Sequence, residues 1–316
     1  MVNITKVIVF GGSGFLGSHV ADALTNAGYN VVIYDLAKSP YLQKNQKMII
    51  GNILDEKKVA RAIKGCDYVY NFAGMADIEE AHKKPLEAVK NNILGNTILL
   101  EGCRKHKIKR FVFASTLYVY GKAGSFYRSS KQACELIIEN YNEQYGIPFT
   151  VLRYGSLYGP RASENNYIYK IIKQAITEGK IVSFGEGNDL REYIHVDDAA
   201  RYSVEILSKE FENQYVIFTG QHSMRRKDLL IMIKEIMGNK IKIEYEPKES
   251  PLHYEVTPYT FHPKIAKKYI SNYYLDLGQG LLQSIRDVYK EVKNYKEIDG
   301  VFLETTTKKS KPKKKK

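Results

Sequence analysis

Seven residues, Gly11-Gly12-Ser13-Gly14-Phe15-Leu16-Gly17, constrain this chain more than any other segment because of what flanks them. Ahead of them runs Lys6-Val7-Ile8-Val9-Phe10, a short apolar stretch that suits a buried strand; behind them, His19-Val20-Ala21-Asp22-Ala23-Leu24 carries apolar residues at helical spacing. In that context glycines at 11, 14 and 17 permit a tight turn, a close approach of backbone to a pyrophosphate, and packing of the helix on the strand, with the phosphates facing the helix N-terminus. A Gly-rich bend can also be purely structural, and the next strand argues against that. Asn30-Val31-Val32-Ile33-Tyr34 ends at Asp35, eighteen residues after Gly17, where a carboxylate can accept hydrogen bonds from an adenosine ribose. A 2′-phosphate there would be repelled, and flexible Lys38 offsets this poorly, so NAD is expected rather than NADP.

Lys47–Ile50, Tyr68–Phe72, Arg110–Ala114 and Phe149–Arg153 read as further strands separated by helical stretches. Such alternation implies βαβ crossovers, a doubly wound parallel sheet of Rossmann type covered on both faces, and ligands at the carboxyl ends of the strands. Asn71-Phe72-Ala73-Gly74 and Ala114-Ser115-Thr116 fall at such ends. The alternation weakens from about Gly155. We therefore expect residues 1–154 to form mainly the NAD-binding domain. Residues 155–303 should form mainly a smaller C-terminal substrate-binding lobe with some segments returning to the first domain, and substrate should lie between the two.

With 316 residues, 44% of them hydrophobic, the chain can bury a large core. The first strand begins by residue 6 and no apolar run reaches membrane-spanning length, so neither secretion nor membrane insertion is expected, and the cytoplasm is the expected location. Cys66, Cys103 and Cys134 lack metal-ligand spacing and read as reduced, buried thiols; no metal is expected. The formal charge of +13 invites nucleic acid, yet seven lysines lie in residues 308–316 and without them it falls to +6. That tail, 304–316, has nothing apolar to bury and reads as a disordered solubilising end, which makes nucleic-acid binding the weaker expectation.

Tyr127 and Lys131 stand four residues apart in a helical stretch and so share one face. For a tyrosine to take a proton from a sugar hydroxyl near neutral pH, its pKa must fall from about 10 to about 7, roughly 4 kcal/mol of selective stabilisation of the phenolate. One solvated cation at 4 Å supplies only about 1 kcal/mol. Lys131 together with a positive nicotinamide ring, in a partly desolvated cleft, meets the requirement, and Thr116 would align the hydroxyl.

These residues resemble the extended short-chain dehydrogenases/reductases, specifically the nucleotide-sugar epimerase/dehydratase branch. The resemblance covers nearly the whole chain. It rests on the glycine turn, Asp35, Asn92-Ile93-Leu94-Gly95, Phe113-Ala114-Ser115-Thr116-Leu117-Tyr118-Val119-Tyr120-Gly121, the Tyr127/Lys131 pair, the Arg153–Pro160 stretch and Arg191-Glu192-Tyr193-Ile194-His195-Val196-Asp197-Asp198. It implies oxidation at C4 of a nucleotide-diphosphate sugar, with Thr116, Tyr127 and Lys131 catalytic. It also implies cofactor contacts from Gly11, Gly14, Phe15, Leu16, Asp35, Asn52, Ile53, Phe72, Ala73, Gly74, Tyr127, Lys131 and Tyr154. Substrate contacts would come from Met75, Thr116, Tyr127, Ser156 and Arg191, the arginine on the substrate pyrophosphate. His195 reads as structural.

Several departures from that family's pattern matter. Asn52 and Ser156 stand where the family often has aspartate and asparagine. Only six residues separate Tyr120 from Tyr127, where relatives usually carry a longer segment, so the pocket is either more open or closed by another loop. An open pocket would admit a heptose as well as a hexose. Leu117 and Tyr118 occupy positions where family dehydratases carry Asp-Glu and decarboxylases a glutamate, which disfavours both reactions. The 4-keto sugar is then either released, by a 4-dehydrogenase, or reduced from its other face, by a 4-epimerase. A competing class is a non-catalytic NAD-binding regulatory or RNA-binding protein. The Tyr127/Lys131 helix and the preceding Leu86–Arg104 stretch suggest a homodimer, with Val89, Ile93, Leu100, Ile137 and Ile138 equally suited to intrachain packing.

Overall fold

A computed structural model describes residues 5–247, 252–259, 265–293, 295–298 and 301–304. β1 (Lys6–Phe10), β2 (Asn30–Asp35), β3 (Lys47–Ile50), β4 (Tyr68–Asn71), β5 (Arg110–Thr116) and β6 (Phe149–Tyr154) form where apolar and β-branched residues run together, each within two residues of its expected bounds. The helices between them are α1 (Phe15–Asn26), α2 (Glu56–Ile63), α3 (Ile78–Lys83), α4 (Pro85–Ala88), α5 (Gly95–His106) and α6 (Ser125–Tyr145). A π-helical stretch, Val89–Leu94, joins α4 to α5, and a 3₁₀ turn, Leu117–Tyr120, follows β5.

Beyond β6 come β7 (Ser156–Tyr158), α7 (Tyr167–Glu178), β8 (Lys180–Phe184), β9 (Leu190–His195), α8 (Val196–Glu205), β10 (Gln214–Phe218), β11 (Ser223–Arg225) and α9 (Arg226–Ile236). The chain ends through β12 (Lys242–Glu246), β13 (Lys267–Lys268), α10 (Leu277–Lys293) and a hairpin of β14 (Tyr295–Ile298) with β15 (Val301–Glu304).

The main sheet has eight strands in the order β13-β10-β6-β5-β4-β1-β2-β3, every neighbouring pair parallel. Strand order reverses between β1 and β4, the switch point at which ligands bind in open α/β sheets. Phe10 pairs with Asn71, Asn71 with Phe113, and Thr116 with Tyr154, so the carboxyl ends that carry the expected site lie along one edge. Both faces are covered. Val59, Leu99, Cys103, Phe111 and Ile138 belong to a core between the sheet and α2, α5 and α6; Val9, Val20, Leu24, Leu152 and Ala199 belong to one between the sheet and α1 and α8. A parallel sheet buried on both sides needs such continuous apolar strands.

A separate core around Ile172, Ile181, Leu230, Ile233 and Leu281 unites α7, β8, α9 and α10. β9 lies between β7 and β11, and β8 pairs with β12. β10 and β13 add to the main sheet and α8 packs on α1, so these later segments lie with the first half of the chain. The lysine-rich residues 305–316 fall outside the described residues. No described helix is long and apolar enough to cross a membrane, and no described cluster of His, Cys, Asp or Glu could hold a metal. All three cysteines are buried and unpaired, and burial pushes their thiols up.

Candidate active site

β1 delivers the chain into Gly11, whose φ of +76° favours glycine. A Cβ on Gly11 would stand 2.6 Å from the Ala73 nitrogen, and one on Gly17 only 2.1 Å from the Gly11 carbonyl oxygen. The turn, the end of β4 and α1 therefore approach more closely than side chains permit. α1 starts after Gly14 with no side chain capping it, which leaves its N-terminal amides for a phosphate. At the end of β2, Asp35 accepts from the Ser13 N–H (2.8 Å) and the Leu36 N–H (2.7 Å), fixing its carboxylate beside the turn.

Asn52 is exposed and its side chain accepts from the Leu54 N–H, while Ile53 is buried behind it. Phe72, Ala73 and Gly74 continue β4 toward Met75. Tyr154 ends β6 with its ring in the core and its hydroxyl against Ser203 (2.6 Å).

β5 ends at Thr116, whose hydroxyl oxygen caps the following turn through the Tyr118 N–H (3.3 Å) and lies within hydrogen-bonding reach of the Tyr127 phenol. Tyr127 enters on the first turn of α6. One turn on, the Lys131 ammonium donates to the Ala114 carbonyl (2.7 Å) and stands 5.8 Å from the centre of the Tyr127 ring. The structure thus brings together the three residues read as catalytic. Their electrostatics qualify that reading. Burial pushes the Tyr127 phenol up to about 12, with Thr116 acting in the opposite sense, and burial lowers the Lys131 ammonium. A base working near neutral pH needs the opposite shift, so positive charge must overcome burial here.

Two supports were not foreseen from the sequence. Buried Asn92, in the π-helical stretch, accepts from the Met75 N–H (2.7 Å) and donates to the Met75 carbonyl (3.0 Å) and the Ser130 hydroxyl (2.8 Å), which in turn donates to the Tyr127 carbonyl (2.8 Å). π-helical turns recur at functional sites, and this one ties the loop after β4 to the helix carrying Tyr127. Glu135, one turn beyond Lys131, binds fully buried Arg153 through both oxygens (3.0 and 2.6 Å) and accepts from Ser115 (2.5 Å). That cluster bolts α6 to β5 and β6. An acid in the apolar face of a helix is the only local sign of it.

The short connection between Tyr120 and Tyr127 is covered by the Leu252–Tyr259 segment. The Gly124 N–H donates to the Leu252 carbonyl (2.9 Å), and the Tyr118 hydroxyl bonds His253 Nδ1 (2.7 Å). Tyr118 also packs against Tyr127 and Tyr254, at 6.3 and 4.6 Å between ring centres. Of the two alternatives for this pocket, closure by another loop is the one found. The Tyr254 hydroxyl lies near Ser156, and the Arg191 guanidinium lies 4.2 Å over its ring. Arg191 also pairs with Asp189 (3.3 Å). His195 caps α8 by accepting from the Asp197 N–H and is almost fully buried, and that burial lowers its pKa.

The model of the NAD dependent epimerase/dehydratase family matches residues 7–217, two thirds of the chain. The chain belongs to that family. Its cofactor is NAD, and the cradle fits it: glycines where a Cβ would clash, an uncapped helix N-terminus and an anchored carboxylate at the end of β2. Among relatives, an uncharacterised UDP-glucose epimerase of Bacillus subtilis is 28% identical over 77% of this chain and 85% of its own. A UDP-N-acetyl-alpha-D-glucosaminuronate decarboxylase of Bacillus cytotoxicus is 27% identical over 92% of this chain and 99% of its own. The crystal structure of a UDP-glucose 4-epimerase from Thermotoga maritima, with UDP-glucose, superposes with a TM-score of 0.80 at 26% identity, covering 91% of this chain and all of that one. A UDP-glucuronic acid 4-epimerase from Bacillus cereus, with UDP-glucuronic acid and NAD, gives 0.79 at 25% identity over 91% of this chain and all of its own. Family membership thus spans several reactions, and the choice among them falls to particular side chains.

Proposed function

We propose that this protein is a 4-epimerase of UDP-hexoses. The observation that carries this reading is the Thr116–Tyr127–Lys131 cluster at the carboxyl edge of the sheet, next to a 3₁₀ turn in which Leu117 is buried and Tyr118 is bound to His253. No carboxylate stands at 117 or 118 to drive dehydration or decarboxylation. The solved 4-epimerases that match over nine tenths of the chain support the same reading.

NAD, when bound, supplies the site that accepts and returns a hydride at the sugar C4. Tyr127 takes the O4 proton as the C4 bond is oxidised and returns it on reduction, Thr116 orients the hydroxyl, and Lys131 holds positive charge against the phenolate. Arg191 and Ser156 bind the diphosphate end. Re-reduction needs no external oxidant, which favours the epimerase over release of the keto sugar. The covered pocket removes the ground for expecting a heptose in particular. Residues Val89, Leu94 and Leu136, exposed on the π-helical stretch and α6, suit a homodimer, whereas Leu100 and Ile138 belong to the intrachain core.

Incubation with UDP-glucose, UDP-N-acetylglucosamine and UDP-glucuronic acid, followed by NMR of the product, should show inversion at C4 with one of them. Tyr127→Phe should abolish it while retaining NAD. Undiminished turnover by that variant overturns the assignment, and loss of function on removing the lysine tail instead would favour a non-catalytic binding role.

A further inference from the structure

Tyr254 touches the expected site on three sides. Its ring packs on Tyr118, which borders Tyr127; its hydroxyl lies near Ser156; and its other contact is the Arg191 guanidinium, 4.2 Å from the ring centre. The charge balance around Arg191 is uneven. Among the described residues, Arg191 (3.3 Å) and Arg226 (2.8 Å) pair with the same carboxylate, Asp189, and all three side chains are only 12% exposed. Two guanidinium groups on one carboxylate leave a positive charge in a largely desolvated place, where it is costly unless an anion or a π face compensates it.

We propose that Tyr254 is a positioning residue for the substrate diphosphate: its ring holds Arg191 as an anion-binding platform. This rests on the reading that Arg191 receives the diphosphate. Arg191 Nη1 is committed to the Leu190 carbonyl (2.9 Å), and Leu190 N–H donates to the Glu255 carbonyl (2.7 Å), so the strand bearing Arg191 and the segment bearing Tyr254 are joined by backbone as well as by the stack. The connection bridging the short Tyr120–Tyr127 loop would then do two things at once: wall the sugar pocket and pre-set the phosphate ligand. Preorganisation of that kind appears in binding rather than in the chemical step.

The test is calorimetric titration of NAD-loaded protein with UDP, dTDP, GDP and CDP, taking the tightest binder through a double-mutant cycle. Arg191→Ala should weaken binding by about 10- to 100-fold, and Tyr254→Leu by about 3- to 30-fold. Tyr254→Leu should cause no further loss on the Arg191→Ala background, and Tyr254→Phe, which keeps the ring, should stay within about threefold of the wild type. Tyr254→Met, close in length but lacking a π face, repeats the cycle should the leucine variant fold poorly, with NAD content and melting temperature as controls. Turnover should show the loss in KM with kcat kept. Equal losses in both backgrounds, or none in either Tyr254 variant, overturn the platform. Wild-type binding by Arg191→Ala overturns the platform together with the Arg191 assignment beneath it. Nucleoside diphosphate binding requires no turnover, so a mistaken sugar reaction leaves the result intact.

Discussion

Lys131→Met isolates the electrostatic problem at the centre of the site. Burial holds the Tyr127 phenol at about 12, which at pH 7 leaves roughly one molecule in 10⁵ ionised. The Lys131 ammonium lies 5.8 Å from the ring centre. At an effective dielectric of about 20, a unit charge at that distance stabilises the phenolate by about 3 kcal/mol, which is about two pH units. In a fully hydrated site the same charge supplies under about 1 kcal/mol, or about half a unit. The base must be deprotonated to act, so the rate rises with pH through its apparent pKa, and losing a stabilising cation moves that acidic limb upward. We expect the acidic limb of kcat, the parameter that reports the enzyme–substrate complex, to shift up by about two pH units, with roughly 100-fold loss at a pH below both limbs. The measurement is the pH profile of sugar-nucleotide epimerisation at saturating NAD, with bound NAD quantified in each variant because Lys131 is also expected to contact the nicotinamide ribose. A limb displaced by less than half a unit in fully NAD-loaded protein would refute the claim that Lys131 charge makes Tyr127 basic.

Asp35→Ser should raise the preference for NADP over NAD by roughly 30-fold, because the carboxylate's repulsion of a 2′-phosphate, about 2 kcal/mol at close range, is removed; competition binding of the two dinucleotides measures it. Glu135→Gln leaves the guanidinium of wholly buried Arg153 without its counter-charge and should cost about 3–5 kcal/mol in urea denaturation, with a loss below 1 kcal/mol counting against the cluster as an anchor of α6. Gly17→Ala puts a methyl 2.1 Å from the Gly11 carbonyl oxygen, so the turn must open; the protein should stay folded by circular dichroism and lose bound NAD on purification.

The strands were readable because each is a local run of apolar, β-branched residues, and the order of strand, turn and helix admits few topologies. The cofactor turn was readable for a similar reason: Gly11, Gly14 and Gly17 are a steric requirement written within seven residues. The Tyr127/Lys131 pair lies within one helical turn. Asn92 stands in a motif that carries the family resemblance, but its role as a clamp was not legible because its partners, Met75 and Ser130, are 17 and 38 residues away. Arg191 is expected from the sequence to meet substrate, but its environment is not legible there, since the ring beneath it belongs to Tyr254.

The sequence by itself determined the first six strands, the parallel sheet they build, the dinucleotide turn and the Tyr127/Lys131 pair proposed to act with Thr116, each encoded by neighbours within a turn or a strand. Only the tertiary structure decided what closes the pocket, what holds α6 in place and which way burial drives the Tyr127 phenol. Tyr118 and His253 meet across 135 residues of chain. Desolvation depends on everything packed around a group, so contacts of that range and the shifts they produce exist only once the chain has folded.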